Sequence, residues 1–172
     1  MIRNWLSSLY ERVSPSQPFD AIDGLDEPDL LWWLLKGKLA GMAKPLEREL
    51  EPLYQIGFRG IVCLLKDPEL VHMYKRHGYE ALSLPVDDGT APTIAQTKEF
   101  VSFTDEHMKD KGAVLVHSQA GWGRTGTLLA AYLIAHGDAP FDAIDKVRYA
   151  QSNAITTNAQ ENFLLHMPAS YA

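Results

Sequence analysis

Cysteine is nearly absent from this chain, because Cys63 is the only one among its 172 residues. A disulfide within the chain is therefore excluded. Cys63 lies in the apolar run of residues 61–65, which predicts a buried strand. We therefore interpret it as a core thiol and not as a nucleophile.

Long apolar runs are missing as well. No segment approaches the roughly 20 apolar residues that a membrane-spanning helix needs, and the first residues lack the continuous apolar stretch of a secretion signal. These absences predict no stable insertion into a membrane and a cytoplasmic location.

Basic residues are fewer than acidic ones. The chain has 16 Lys and Arg against 22 Asp and Glu, which gives a formal net charge of -6. A chain with this charge is not expected to bind nucleic acid over a broad surface, so an anionic partner has to be recognised at a local site. The 6 histidines include no pair at metal-ligand spacing backed by carboxylates, so no metal site is predicted.

Strand-like and helix-like segments alternate along the chain. Short apolar runs end near residues 65, 84 and 116, and helix signals such as Asp67-Pro68 separate them. This order predicts a single-domain α/β fold with a mostly parallel sheet of four to five strands, flanked by helices on both faces. Residues 30–167 form the predicted core, preceded by an amphipathic helix at 2–13 and a loop, which together occupy residues 1–24.

The most informative stretch is His117-Ser118-Gln119-Ala120-Gly121-Trp122-Gly123-Arg124-Thr125-Gly126. It stands between the β-branched run 113–116 and the apolar residues 128–135, an order that predicts strand, tight loop and helix. The backbone N–H groups of such a loop, together with the positive end of the helix dipole, can hold a phosphate or sulfate dianion. Arg124 lies where the loop becomes the helix, and its planar guanidinium can bind two phosphate oxygens.

With cysteine at position 118, this stretch would read His-Cys, five residues, Arg-Thr. That pattern resembles the signature of the cysteine-dependent protein tyrosine phosphatases, and in particular their small atypical dual-specificity branch of archaeal and bacterial type. The resemblance implies hydrolysis of phosphomonoesters without a cofactor, through attack of residue 118 on phosphorus and with Thr125 helping the thiolate to leave. It also implies a phosphorylated protein or peptide as substrate. The substrate-binding residues that it implies are His117, Gln119, Ala120, Gly121, Trp122, Gly123 and Arg124.

The resemblance further implies an acid in the loop of residues 84–92, which we name the acid loop. Asp88 matches the acid position and precedes Ser118 by 30 residues (118 − 88). Asp87 is interpreted as a turn residue. Gln160 matches the residue that positions the hydrolytic water, but Thr157 and Gln160 also have the spacing of a helix capping box, and the sequence leaves both interpretations open.

Ser118 has two explanations. Either it is an introduced substitution that traps substrate, which we favour because the rest of the motif is complete, or the protein is a natural pseudophosphatase that binds phosphorylated partners. In both cases covalent catalysis is expected to fail, because no adjacent base activates the hydroxyl. A serine hydrolase is excluded, since Val116 stands where the nucleophile elbow needs glycine.

The expected substrate carries a single phosphate. Gln119, Ala120 and Trp122 are neutral, whereas phosphoinositide phosphatases of the superfamily tend to place lysine in this loop. Phosphotyrosine is therefore expected, with phosphoserine and phosphothreonine open, and a phosphoinositide or inositol phosphatase is the alternative. We also expect a monomer.

Overall fold

The computed structural model describes residues 30–168, so the predicted helix at 2–13 and the loop after it lie outside the described residues. The elements in chain order are β1 (Trp32–Leu35), β2 (Leu39–Met42), α1 (Glu47–Ile56), β3 (Phe58–Cys63), α2 (Pro68–Arg76), β4 (Glu80–Ser83), α3 (Ile94–Asp110), β5 (Ala113–His117), α4 (Gly123–Ala135), α5 (Pro140–Ala150) and α6 (Asn158–Leu165). Within residues 30–168, no helix is long and apolar enough to cross a bilayer.

The strands form one five-stranded sheet in the order β1-β2-β5-β3-β4. β2, β5, β3 and β4 are parallel to one another, and only β1 pairs in the antiparallel sense, with β2. The prediction of a mostly parallel sheet is therefore confirmed. Because parallel strands end at the same edge, the loops that follow β3, β4 and β5 meet there.

The core has two halves, one on each face of the sheet. Along β5, Val114 and Val116 face the cluster that contains the buried residues of α3, α4, α5 and α6. Ala113 and Leu115 face the other cluster, which contains the buried residues of α1 and α2. The predicted cover of helices on both faces is thus confirmed. α4 is buried throughout residues 125–134, which explains why its sequence is apolar on all sides.

Helix starts follow the predicted caps where a side chain supplies the hydrogen bond. The Asp67 carboxylate accepts from the N–H groups of Glu69 and Leu70 and begins α2, with Pro68 in the first turn. Thr93 and Gln96 have the spacing of a capping box in the sequence, and they form one at the start of α3.

Two boundaries differ from the sequence prediction. Pro45 has the sequence signal of a first helical residue. α1 nevertheless begins at Glu47, because the Glu49 carboxylate accepts the Leu46 N–H at 2.7 Å and makes Leu46 the cap. β3 begins at Phe58, before the apolar run at 61–65. Arg59 is accommodated in this strand because its guanidinium lies 3.8 Å over the Tyr54 ring and donates to the Tyr54 carbonyl.

The Asp105 carboxylate joins α3 to α4. It accepts a hydrogen bond of 2.6 Å from the Tyr132 hydroxyl, and its other oxygen lies 3.1 Å from His136 Nε2. His136 Nδ1 lies 2.8 Å from the Tyr132 carbonyl. Both partners of the ring are acceptors, so this geometry favours a ring in which both nitrogens donate. Burial lowers the pKa of His136, but the bonds to Asp105 and to the Tyr132 carbonyl outweigh it and leave this pKa above its ordinary value.

We expect Asp105→Asn to destabilise the fold more at about pH 6 than at about pH 8.5. A raised folded pKa means that the His136 contribution is complete below the unfolded pKa and is lost as pH rises through the folded pKa. Urea unfolding should show a loss of about 1–3 kcal/mol at the lower pH. Asp110→Asn, exposed at the end of the same helix, is the matched control and should change little at either pH. If Asp105→Asn lowered the free energy of unfolding equally at the two pH values, the raised pKa of His136 would be contradicted.

Candidate active site

The phosphate loop, residues 118–124, connects the end of β5 to the start of α4 at the carboxyl edge of the sheet. Gly121 is buried with φ +78°, and a Cβ on it would collide with the backbone of Met42 and Ala43. Glycine is therefore required where the loop packs against the end of β2. The Trp32 indole N–H donates to the Gly121 carbonyl at 3.1 Å, and the Lys44 N–H donates to the Gln119 carbonyl at 3.2 Å.

Backbone N–H groups are available at this loop. α4 begins at Gly123, and its cap residue Trp122 provides no side-chain hydrogen bond. The first N–H groups of the helix, which have no partner within the helix, therefore remain uncapped at its positive end. Within the part of the chain that the structure describes, the N–H groups of Gln119 and Ala120 form no hydrogen bond. Such a set of donors fits a tetrahedral anion.

Ser118 lies at the bottom of the loop and is 2% exposed. Its Oγ is 2.9 Å from Thr125 Oγ1 and accepts from the Gly121 N–H at 3.2 Å. The position that the sequence assigns to the nucleophile is thus surrounded by hydrogen-bond donors, which would stabilise a thiolate.

His117 is not a base for Ser118. Its Nδ1 lies 3.2 Å from the Ser118 carbonyl, which can only accept, so Nδ1 carries the proton. Nε2 then accepts from the Tyr74 hydroxyl at 3.0 Å. Burial lowers the pKa of His117 to about 4. The hydrogen bond to the Ser118 carbonyl opposes this shift, whereas the positive charges of Lys44 and Arg124 add to it. The ring is therefore neutral near pH 7 and both nitrogens are engaged away from the serine hydroxyl.

Arg124 links the phosphate loop to the acid loop. Its side chain is 11% exposed, Nη1 donates to the Val86 carbonyl at 3.0 Å, and Nη2 lies 3.3 Å from Asp88 Oδ1. The Asp88 side chain is 94% exposed, so this pair lies at the mouth of the site. Asp87 instead forms a turn, in which its carbonyl accepts from the N–H and hydroxyl of Thr90.

Gln160 is buried beside the same two loops. Its side-chain oxygen accepts from the N–H groups of Thr156 and Thr157, and its NH₂ group donates to the Thr90 carbonyl at 3.2 Å. Thr157 Oγ1 donates to the Gly89 carbonyl at 2.8 Å. Gln160 forms the capping box of α6 with Thr157. These bonds support the acid loop, and the positioning of a water by Gln160 stays a prediction.

Sequence reasoning missed two supports of the phosphate loop. Trp32 is a buried core residue, and its indole also bonds Gly121, 89 residues away in the chain. Tyr74, on α2, holds the His117 ring. The available signal was general: a buried indole N–H or phenol usually needs a partner, although the sequence does not say which one.

Comparison with known proteins identifies the family. The family model described as "Swiss Army Knife protein, DSP-PTPase phosphatase domain" matches residues 28–164. This match covers most of the chain, and the protein belongs to this family of phosphatase domains.

Two curated relatives show how much of a longer protein this domain represents. The chain is 26% identical to the tyrosine-protein phosphatase CDC14 of Candida albicans over 132 residues, which are 76% of this chain and 24% of that protein. It is 28% identical to cyclin-dependent kinase inhibitor 3 of Sus scrofa over 138 residues, 74% of this chain and 65% of that protein. The chain thus spans about a quarter of the first relative and about two thirds of the second.

Solved structures agree with the fold. Tk-PTP in its active form has a TM-score of 0.72 and 30% identity, covering 79% of this chain and 94% of Tk-PTP. PTPMT1 in complex with PI(5)P has a TM-score of 0.73 and 27% identity, covering 80% of this chain and 93% of PTPMT1. Kinase associated phosphatase, crystallised with its catalytic-site cysteine substituted by serine, has a TM-score of 0.68 and 26% identity, covering 73% and 83%.

We expect Trp32→Phe to weaken the binding of vanadate or inorganic phosphate about three- to tenfold. The substitution keeps an aromatic ring but leaves the Gly121 carbonyl without its donor, which loosens the loop at a cost of about 1 kcal/mol. Trp33→Phe is the matched control, because the Trp33 ring stacks on Phe58 in the core half on the other face of the sheet. Isothermal titration of both variants tests this. Equal affinities would show that the indole bond does not order the loop.

The neutral His117 should make the fold less stable as the pH falls. Its folded pKa of about 4 lies below the ordinary value of 6.5, so its contribution is complete above 6.5 and is lost as pH falls through 4. Between about pH 7.5 and pH 5 the loss should be about 2 kcal/mol. Urea unfolding of the chain and of His117→Asn, which does not titrate, isolates this slope. The same pH slope in both proteins would refute the buried neutral ring.

Proposed function

We propose that this domain recognises the phosphate group of phosphotyrosine in proteins, with phosphoserine and phosphothreonine as further substrates. In its active form, it hydrolyses the ester through a cysteinyl-phosphate, and with Ser118 it binds the substrate without turnover. One observation carries this proposal. The little-exposed Arg124 guanidinium is held by the Val86 carbonyl between the uncapped start of α4 and the Asp88 carboxylate.

The proposed reaction has two steps and requires cysteine at position 118. The thiolate attacks phosphorus, the bond from phosphorus to the leaving oxygen breaks, and Asp88 donates a proton to that oxygen. Water then attacks the phosphocysteine and gives a proton to the Asp88 carboxylate, while the thiolate leaves and inorganic phosphate is released. Thr125, within 2.9 Å of the residue 118 oxygen, is placed to donate a hydrogen bond to the departing thiolate.

Ser118 accounts for the proposed loss of turnover. A hydroxyl gains much less than a thiol from the same donors, and His117 has both nitrogens engaged elsewhere. The serine form of kinase associated phosphatase has the same exchange at its catalytic-site cysteine. By this analogy we favour a substrate trap over a natural pseudophosphatase.

A phosphoinositide substrate is the second candidate, because the similar PTPMT1 was solved in complex with PI(5)P. The phosphate loop of this chain argues against it. Its variable residues Gln119, Ala120 and Trp122 add no charge to meet further phosphates. Trp122 is 38% exposed at the rim, where it can contact an aromatic ring of the substrate. The cytoplasmic location and the monomeric state remain predictions from the sequence.

Ser118→Cys should convert the chain into an enzyme that hydrolyses aryl phosphates and phosphotyrosine peptides. In that background, Asp88→Asn should lower kcat about 10²–10⁴-fold, because the leaving oxygen loses its acid. Asp87→Asn, one residue away in the same turn, is the matched control and should have a much smaller effect. Arg124→Ala should abolish the binding of phosphopeptide to the Ser118 chain. These kinetics and affinities are measured with one panel of phosphopeptides and phosphoinositides.

Three results would change the assignment. An inactive Ser118→Cys protein that still binds phosphopeptide through Arg124 would indicate a pseudophosphatase. Faster turnover of phosphoinositides than of peptides would favour the lipid substrate. Phosphopeptide binding that survives Arg124→Ala would refute the phosphate loop as the binding site.

A further inference from the structure

A second cavity opens close to the phosphate loop, at the same edge of the sheet. Its volume is about 240 Å³, and it lies between the loop after β3, one side of α2, and the end of β4. Lys66, His72 and Lys75 line it together with apolar groups that include Val71 and Pro85. We name it the lysine cavity.

The lysine cavity has an excess of positive charge. No salt bridge joins Lys66 or Lys75 to a carboxylate anywhere in residues 30–168. Asp67 is also part of the lining, so two lysines stand against one carboxylate, whose Oδ1 accepts the N–H groups of Glu69 and Leu70 at 3.1 and 3.4 Å. In a chain with a net charge of -6, two unpaired ammonium groups in one concave site create a local attraction for anions.

Adjacent residues of the acid loop contact the lysine cavity and the phosphate loop. Pro85 lines the cavity, and the carbonyl of the next residue, Val86, accepts from Arg124. Just after β3, the Leu64 N–H donates to the His117 carbonyl, and the Leu64 carbonyl accepts from the Val86 N–H. Lys66 follows Leu64 by two residues, and two extended residues span about 7 Å. A peptide held by its phosphate would therefore reach the cavity within about three residues.

The lining favours a carboxylate over a second phosphate. The first-turn N–H groups of α2, which would otherwise bind phosphate strongly, are already taken by Asp67. Among the described residues, no arginine lines the cavity to provide a bidentate partner, and lysine acts as a point charge. None of the large exposed apolar side chains within residues 30–168 lies in its lining, so a membrane surface would gain little apolar contact there.

We propose that the lysine cavity is a second binding site that receives a glutamate side chain of the substrate, one to three residues from the phosphorylated residue. Lys66 and Lys75 pair with the carboxylate, while Val71 and Pro85 contact its methylene groups. The inference rests on the proposed function, since the phosphate loop places the peptide. The domain then selects acidic phosphopeptides, which the phosphate loop with its neutral variable residues cannot do by itself.

The experiment measures the affinity of the Ser118 chain for fluorescein-labelled phosphotyrosine peptides by anisotropy. One peptide series carries a single glutamate at each of the three positions on either side of the phosphotyrosine. The reference peptide has alanine at those positions and carries its glutamate six residues away, so the net charge is matched. At least one nearby position should bind about three- to tenfold more tightly than the reference.

Variants assign that preference to the cavity. Lys66→Ala/Lys75→Ala should bind the best glutamate peptide no more tightly than the reference, with the reference affinity unchanged. Lys66→Glu/Lys75→Glu should prefer a lysine in place of that glutamate. The control is Lys109→Ala, which removes a 79% exposed lysine at the end of α3, near the opposite edge of the sheet. It should keep the full preference.

The outcomes separate this inference from the proposed function. A glutamate preference that survives loss of both lysines, or no preference at any position, overturns the lysine cavity as a peptide site. A lipid ligand would be favoured, and the inference overturned, by two results together. The Ser118 chain would bind the glutamate peptides and the reference peptide equally, and Lys66→Ala/Lys75→Ala would lose binding to phosphoinositide vesicles. Peptide binding that survives Arg124→Ala overturns the proposed function. If no phosphopeptide binds the Ser118 chain, both proposals fall.

Discussion

The Arg124 guanidinium holds the phosphate loop and the acid loop in one site. A charge that is this little exposed needs partners, and here they are the Val86 carbonyl and the Asp88 carboxylate. The acid loop is in turn supported from two helices: Gln96 at the start of α3 donates to the Pro85 carbonyl, and Gln160 at the start of α6 donates to the Thr90 carbonyl. The helix starts therefore have two roles, since the side chains that cap them also hold the loop that bears the candidate acid.

The charge distribution explains how an acidic chain can present an anion site. The net charge of -6 is spread over the molecule, whereas the phosphate loop concentrates uncapped N–H groups and one guanidinium at the positive end of α4. The neutral His117 adds structure but no charge, because burial keeps its ring deprotonated between Tyr74 and the Ser118 carbonyl. In the proposed function, recognition of phosphate depends on this backbone geometry, which Ser118 leaves available.

Local patterns allowed much of the fold to be predicted. The caps at Asp67, Thr93 and Thr157 and the strand-loop-helix order around Ser118 are encoded within a few residues, and all of them are present. The two boundary errors arose from side-chain contacts a few residues away along the chain, which the apolar pattern does not show. Arg59 lies before the expected apolar run, yet it belongs to β3 because Tyr54 at the end of α1 receives its guanidinium. The antiparallel pairing of β1 likewise depends on β2, and a strand's own residues do not encode its direction.

The sequence by itself determined the phosphate loop, since its glycines, its arginine and the strand and helix around it are contiguous and their backbone requirements are local. Only the tertiary structure decided what meets this loop. The sheet order β1-β2-β5-β3-β4 places β5 between β2 and β3. This position brings Trp32 and the acid loop to the phosphate loop, and Tyr74 to His117, across long chain separations. Most of the lysine cavity is formed by residues 66–75, and the pairing of β4 with β3 adds Ser83 and Pro85 to its lining. Such contacts depend on how the strands assemble, because each side chain alone can find a partner in many different folds.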